Sequence, residues 1–165
     1  MRSGYTLRAY ASSDKREVLL LAGESFADFG QFDATIEHWL EKPSVATLVA
    51  TSDDLIVGFI TYGYRQVEAE VFGDIIALAV LSEHRGRGIG GELLASAMSF
   101  LREGAAAVNA RGVQLHVAEG NINARRLFAE HGYLEVRSDG RYPNGDRALL
   151  CVNTYLSDGE PSTLT

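Results

Sequence analysis

With 165 residues, of which 46% are hydrophobic, the chain is long enough to close one core unaided. Its 15 Lys and Arg against 22 Asp and Glu give a net charge of −7, which excludes a nucleic-acid backbone as the main partner, and a single cysteine excludes an internal disulfide or a cysteine-based zinc site. No apolar run approaches the ~18 residues of a membrane helix and "MRSGYTLRAY" lacks an apolar leader core, so a cytoplasmic protein with no membrane partner and no metal is expected.

"YTLRAY" alternates as a first strand, and "DKREVLLLAGESF" follows as a helix with Asp14 near its cap and Val18, Leu21 and Ala22 on one face. "DATIEHWLEKP" is a second short helix, capped by Asp33 and stopped by Pro43, with Ile36, Trp39 and Leu40 sharing a face. "VATLVATS" and "LIVGFITYGY" read as strands joined through Asp53 and Asp54, and the continuously apolar "DIIALAVL" as a central strand. A long helix is predicted from Gly90 to Ala110, with Leu93, Leu94, Ala97, Met98, Leu101 and Val108 as its stripe and Gly112 at its C-terminal end. "VQLHV" is a strand, "NINARRLFAEHG" a helix opened by Asn121 and closed by Gly132, and "YLEVRS" and "ALLCVNTYL" are two last strands. The order β-α-α-β-β-β-α-β-α-β-β predicts one mixed α/β domain over residues 1–157, with a parallel crossover through the long helix. Residues 158–165 read as a polar tail.

Residues 85–91, "RGRGIGG", place four glycines and two arginines at the mouth of that helix. Each glycine inside a helix costs roughly 1 kcal/mol relative to alanine, so the cluster needs a reason. A helix start offers unpaired N–H groups and the positive end of its dipole, and glycines let a phosphate approach them. Arg85 and Arg87 add forked, permanently charged donors. Gly86, Gly88 and Gly91 also match the dinucleotide fingerprint G-x-G-x-x-G. Four polar residues before the first glycine, the mid-chain position, and the lack of an acidic residue closing a next strand count against that reading.

"ALAVLSEHRGRGIGGELL" resembles motif A of the GNAT N-acetyltransferase superfamily, R/Q-x-x-G-x-G/A, which Arg85, Gly88 and Gly90 fill. "LHVAEGNINARRLFAEHGY" is similar to motif B, N-x-x-A-x-x-L-Y followed by G-F or G-Y, through Asn121, Ala124, Leu127, Gly132 and Tyr133. Phe128 stands where the family usually has tyrosine. The resemblance spans residues 5 to 156. It implies a central, mostly antiparallel sheet with one splayed parallel strand pair and about four flanking helices. It also implies acetyl-CoA as cosubstrate: Leu78, Ala79 and Val80 beside the pantetheine arm, Arg85, Gly86, Arg87, Gly88, Ile89, Gly90 and Gly91 around the pyrophosphate, and Asn121 and Phe128 further along the cofactor.

Acyl transfer to an amine then needs a base, oxyanion donors and, for the departing thiolate, an acid. By resemblance a backbone N–H on the strand ending in Val80 serves the oxyanion. For the base, His116 matches the position of the glutamate in the L-E-V of the ribosomal-protein alanine acetyltransferase branch. Asp74, acting through a water, is a second candidate and Glu70 a third. Phenylalanine at position 128 cannot donate a proton, which leaves Tyr142 or Cys151 as substitutes. Phe26, Phe29 and Phe32 line the acceptor pocket or belong to the core, and His84 and His131 read as solvated. The acceptor is a primary amine, on a small molecule or a protein N-terminus; the arrangement of Tyr142, Pro143, Asp146 and Ala148 is similar to that of the protein N-terminal branch. A second copy of the chain is an allowed partner. The rival from another class is an acyl-CoA sensor without turnover, suggested by Phe128.

Overall fold

The computed structural model describes residues 4–27 and 32–155, the side chains of 32–34 excepted. Its elements are β1 (Thr6–Ala9), α1 (Lys15–Ser25), α2 (Phe32–Leu40), β2 (Val45–Ser52), β3 (Leu55–Val67), β4 (Glu70–Val80), α3 (Ile89–Val108), β5 (Ala110–Ala118), α4 (Ile122–Glu130), β6 (Leu134–Arg141) and β7 (Arg147–Thr154). The predicted order of elements is the observed one. The Asp33 side chain and the 158–165 tail lie outside what is described.

The seven strands form one sheet in the order β1-β2-β3-β4-β5-β7-β6. Every neighbouring pair is antiparallel except β4 and β5, which α3 joins as a parallel crossover. Alternation along the strands feeds two cores. Val113, Leu115 and Val117 of β5 pack with Leu93, Leu94, Ala97 and Leu101 of α3 and Phe128 of α4. On the opposite face Phe59, Ala77 and Ala79 pack with Val18, Leu21 and Ile36 of α1 and α2. Asp14 ties β1 to the start of α1: it is 6% exposed, accepts both Arg8 Nη atoms at 2.7 and 2.9 Å, and accepts the Ala11 N–H at 2.8 Å.

One irregularity in β4 shapes the molecule. Tyr62 pairs with Ile75 and Thr61 with Ala77, so Ile76 is an extra residue, a β-bulge. Before it Ile75 faces α3; after it Leu78 and Val80 face α3, while Ala77 and Ala79 face α1 and α2. Pairing with β5 stops at Ile75–Leu115, whereas β5 continues to pair with β7 as far as Ala118. The two parallel strands therefore splay at their C-terminal ends.

Two details of the long helix differ from expectation. Asn109, in the left-handed region at φ 56°, caps it, and Gly112 lies inside β5 opposite Thr154, where any Cβ would overlap the Asn153 carbonyl. Val108, the last residue of the helix, is 39% exposed, so the predicted stripe is not buried to its end.

Candidate functional site

Beyond Val80 the chain makes a short 3-10 turn, Ser82–His84, and reaches α3 through Gly86 and Gly88, at φ 80° and 83°. Both conformations favour glycine strongly. A Cβ at either residue would meet nothing within 4 Å, so the space over the loop is open. Gly88 is the N-cap of α3 with no side-chain capping bond, so the first N–H groups of the helix face that space unpaired by the helix. Gly90 and Gly91 have a different setting: a Cβ there would touch Leu127 and His131 of the α4 segment at ordinary contact distance, 3.6 Å in each case. Arg85 Nε donates to the Val80 carbonyl at 3.1 Å, and Arg87 lies 3.4 Å from His84 Nδ1; both arginines are exposed.

The splay holds a cavity of about 100 Å³. Ile76 and Leu78 of β4 form one wall and His116 and Val117 of β5 the other. Asn121 at the cap of α4, Phe128 within that helix, Phe26 and Tyr142 complete it. Leu81 N–H bonds to Val57 O of β3. Alternation then turns the main-chain groups of Leu78 and Val80 toward the open edge and those of Ala79 toward β3. Asn121 caps α4, accepting the Ala124 N–H at 3.2 Å on Oδ1. Phe128 is 7% exposed and meets Tyr133 edge-on at 5.9 Å.

On the α1 and α2 side of the sheet, Asp74 of β4 and His116 of β5 stand on either side of the splay's root. The Asp74 side chain is 17% exposed and 4.0 Å from Arg65 Nη1. Burial pushes its carboxyl above the usual range, against the pull of Arg65 and His116. His116 Nε2 lies 3.1 Å from Asp139 Oδ2, and Arg137 Nε lies 2.7 Å from Asp139 Oδ1. Burial likewise raises the Tyr142 phenol, which stays protonated at neutral pH.

Other predicted candidates are not brought together here. Glu70 sits at the opposite end of β4, bridged to Arg111. Cys151 is buried on the α3 face, with burial pushing its thiol up to about 11. Phe29 and the Phe32 side chain lie outside the described residues. His131 is half-buried rather than solvated, its Nδ1 bonded to the Leu127 carbonyl at 2.9 Å. Asp139 and Arg137 escaped the sequence reading, since nothing near Asp139 marks a histidine partner 23 positions away, and Arg137 matters only through Asp139.

The family model of the acetyltransferase (GNAT) family matches residues 14–133. An N-alpha-acetyltransferase of Sulfurisphaera tokodaii is 33% identical over 137 residues, covering 78% of this chain and 72% of the relative. One from Saccharolobus solfataricus is 26% identical over 155 residues, with 88% and 90% covered. Among solved structures, the NatC complex bound to Gag peptide and CoA has a chain that superposes with a TM-score of 0.78 at 17% identity, over 93% of this chain and 100% of that one. Arabidopsis thaliana NAA60 in complex with a bisubstrate analogue gives 0.75 at 18% identity, over 92% and 99%.

Proposed function

Because the chain belongs to the acetyltransferase (GNAT) family, we propose that it moves an acetyl group from acetyl-CoA to the α-amino group of a polypeptide N-terminus, directly, in a ternary complex. The observation that carries this reading is the juxtaposition of cradle and splay. An open helix start with two positive-φ glycines stands at the end of β4, and the cavity between β4 and β5 begins beside it. A long ligand with a pyrophosphate at one end and a reactive group at the other fits that path. The names of the two archaeal relatives add the polypeptide N-terminus as acceptor.

When bound, acetyl-CoA supplies an acyl carbon activated as a thioester. The N–H groups of Gly86 to Gly91 and the guanidinium groups of Arg85 and Arg87 would hold its pyrophosphate. Leu78 and Val80 would present main-chain groups to the pantetheine arm, and the Asn121 amide nitrogen a further donor. His116, which lines the cavity, takes the proton of the attacking ammonium, and Asp74, on the neighbouring strand, is the alternative base, acting through a water. An α-amine near pKa 8 is a reasonable donor to an imidazole, whereas a lysine amine near 10.4 is ~99.9% protonated at pH 7. Tyr142 lies at the cavity with its proton in place and is the group able to donate where Phe128 cannot.

The test is thiol release from acetyl-CoA with three acceptor sets: peptides with free N-termini, N-blocked peptides containing lysine, and small polyamines. Acetylation of the free-terminus set, located on the α-nitrogen by fragment masses, is the expected result. Turnover confined to either other set would overturn the acceptor assignment. Acetyl-CoA binding without turnover on any set would leave the sensor reading.

A further inference from the structure

His116, Leu150 and Arg137 form one cross-strand row over β5, β7 and β6, since His116 pairs with Leu150 and Leu150 with Arg137. The edge strand β6 slips register twice, between Glu135 and Arg137 and again between Ser138 and Arg141. Bulges of this kind re-aim side chains. The second, with Gly140 at φ 93°, leans Asp139 over the row until its Oδ2 is 3.1 Å from His116 Nε2. Arg137 holds the other oxygen at 2.7 Å.

We propose that Asp139, held by Arg137, is a positioning residue that sets which nitrogen of His116 accepts the substrate proton; the role rests on the reading of His116 as the base. A carboxylate can only accept, so the nitrogen facing it carries the hydrogen. Nε2–H donates to Asp139, and Nδ1 keeps the lone pair. Proton uptake at Nδ1 makes an imidazolium beside a carboxylate, which the Asp139 charge stabilises. The Arg137 charge opposes that stabilisation while it fixes the carboxylate in place. The Asp139 carboxyl sits below its usual range, mainly through Arg137 and then His116, so it is ionised wherever the enzyme would be assayed.

Among the described residues, the groups facing His116 are few. From β4 comes Asp74, with Arg65 of β3 behind it. From β6 come Asp139 and Arg137, and from the β6–β7 turn Tyr142. Opposite it β7 offers only the apolar Leu150. A change of charge at Asp139 or Arg137 therefore acts on His116 with little competition.

The experiment is the pH profile of kcat, on a peptide acceptor, for the parent, Asp139→Asn, Asp139→Glu, Arg137→Gln and His116→Ala. Asp139→Asn keeps the shape, removes the charge, and moves the acidic limb to lower pH by ~0.5 unit or more. Arg137→Gln moves the limb the other way, and Asp139→Glu restores most of the parent profile. Damage to the fold alone does not give opposite shifts. A limb unmoved by Asp139→Asn but abolished by His116→Ala overturns the positioning role and spares the base. A limb that survives His116→Ala overturns the base reading beneath it. Nitrogen-15 shifts of the imidazole, read above the titration range, test the same point without turnover: the Nε2–H tautomer in the parent is expected, and Nδ1–H would overturn the proposal.

Discussion

At the residue scale, the four glycines of the cradle divide into two kinds. Gly86 and Gly88 are there for their backbone, at φ 80° and 83°, and Gly90 and Gly91 for nothing a methyl would disturb, since a Cβ at each makes only 3.6 Å contacts. Gly88→Ala should therefore cost about 1–2 kcal/mol of stability and weaken acetyl-CoA by about tenfold or more, through lost phosphate approach. Gly90→Ala should change both by less than half as much, and paired calorimetric titrations and melts compare them. Asp74 offers a second test. Burial raises its folded-state pKa, so the destabilisation is absent below the ordinary carboxyl pKa. It grows as pH rises toward the raised value and is complete above it. Asp74→Asn should raise Tm at pH 7, by about 2–4 °C for each kcal/mol relieved, and leave Tm unchanged near pH 3. A variant no more stable than the parent at pH 7 would mean that Arg65, 4.0 Å away, already offsets the burial.

At the element scale, what matters is how α3 is set against the sheet. Gly58 of β3 lies under its first turn. A Cβ there would come within 3.1 Å of the Ala79 carbonyl and 3.3 Å of both Ile89 and Leu93. The helix start and the stretch of β4 beyond the bulge therefore meet over a position with no room for a methyl. Gly58→Ala should cost about 1–3 kcal/mol by overpacking, seen as a lower denaturant midpoint at unchanged m. It should also weaken acetyl-CoA binding although residue 58 touches neither the cradle opening nor the cavity. Full affinity in a destabilised variant would show that α3 gives way as a rigid body without disturbing its first turn.

At the scale of the whole molecule, acid should be the weak side. Asp14 is depressed chiefly by its hydrogen bond from Arg8; Glu135, Glu119, Glu41 and Asp139 are depressed chiefly by their own cationic partners. Groups with lowered folded pKa contribute stability that is complete above their unfolded values near 4 and is lost as pH falls through the folded ones. Asp14 is the buried member of the set, while Arg8 is 45% exposed, so solvent screening trims the contribution to about 1–2 kcal/mol. Asp14→Asn should lower the urea midpoint at pH 7, and the gap to the parent should shrink as pH falls through the lowered folded-state value. A gap that stays constant as pH falls would assign the loss to packing at the start of α1 instead.

Much of this molecule is written locally. The order of elements, the stripe of α3, the Asn121 cap and the glycine cradle each depend on residues within about two turns of one another, and near-neighbour sterics and hydrogen bonding fix such features. The two motifs that resemble the GNAT family are of this kind, which is why the fold and the family were legible without coordinates. Register is different. The bulge at Ile76 is invisible until β3 is laid beside β4, because a one-residue slip is a property of the pair and an apolar run suits either face. The same holds for Gly112, whose need for a missing Cβ is set by the Asn153 carbonyl. It holds again for Asp139, which reaches His116 only because β7 lies between their strands and β6 bulges. The sequence by itself determined which segments fold and where the glycine loop opens the long helix. Tertiary packing decided which side chains share the cavity, because burial and strand register are settled by partners far along the chain.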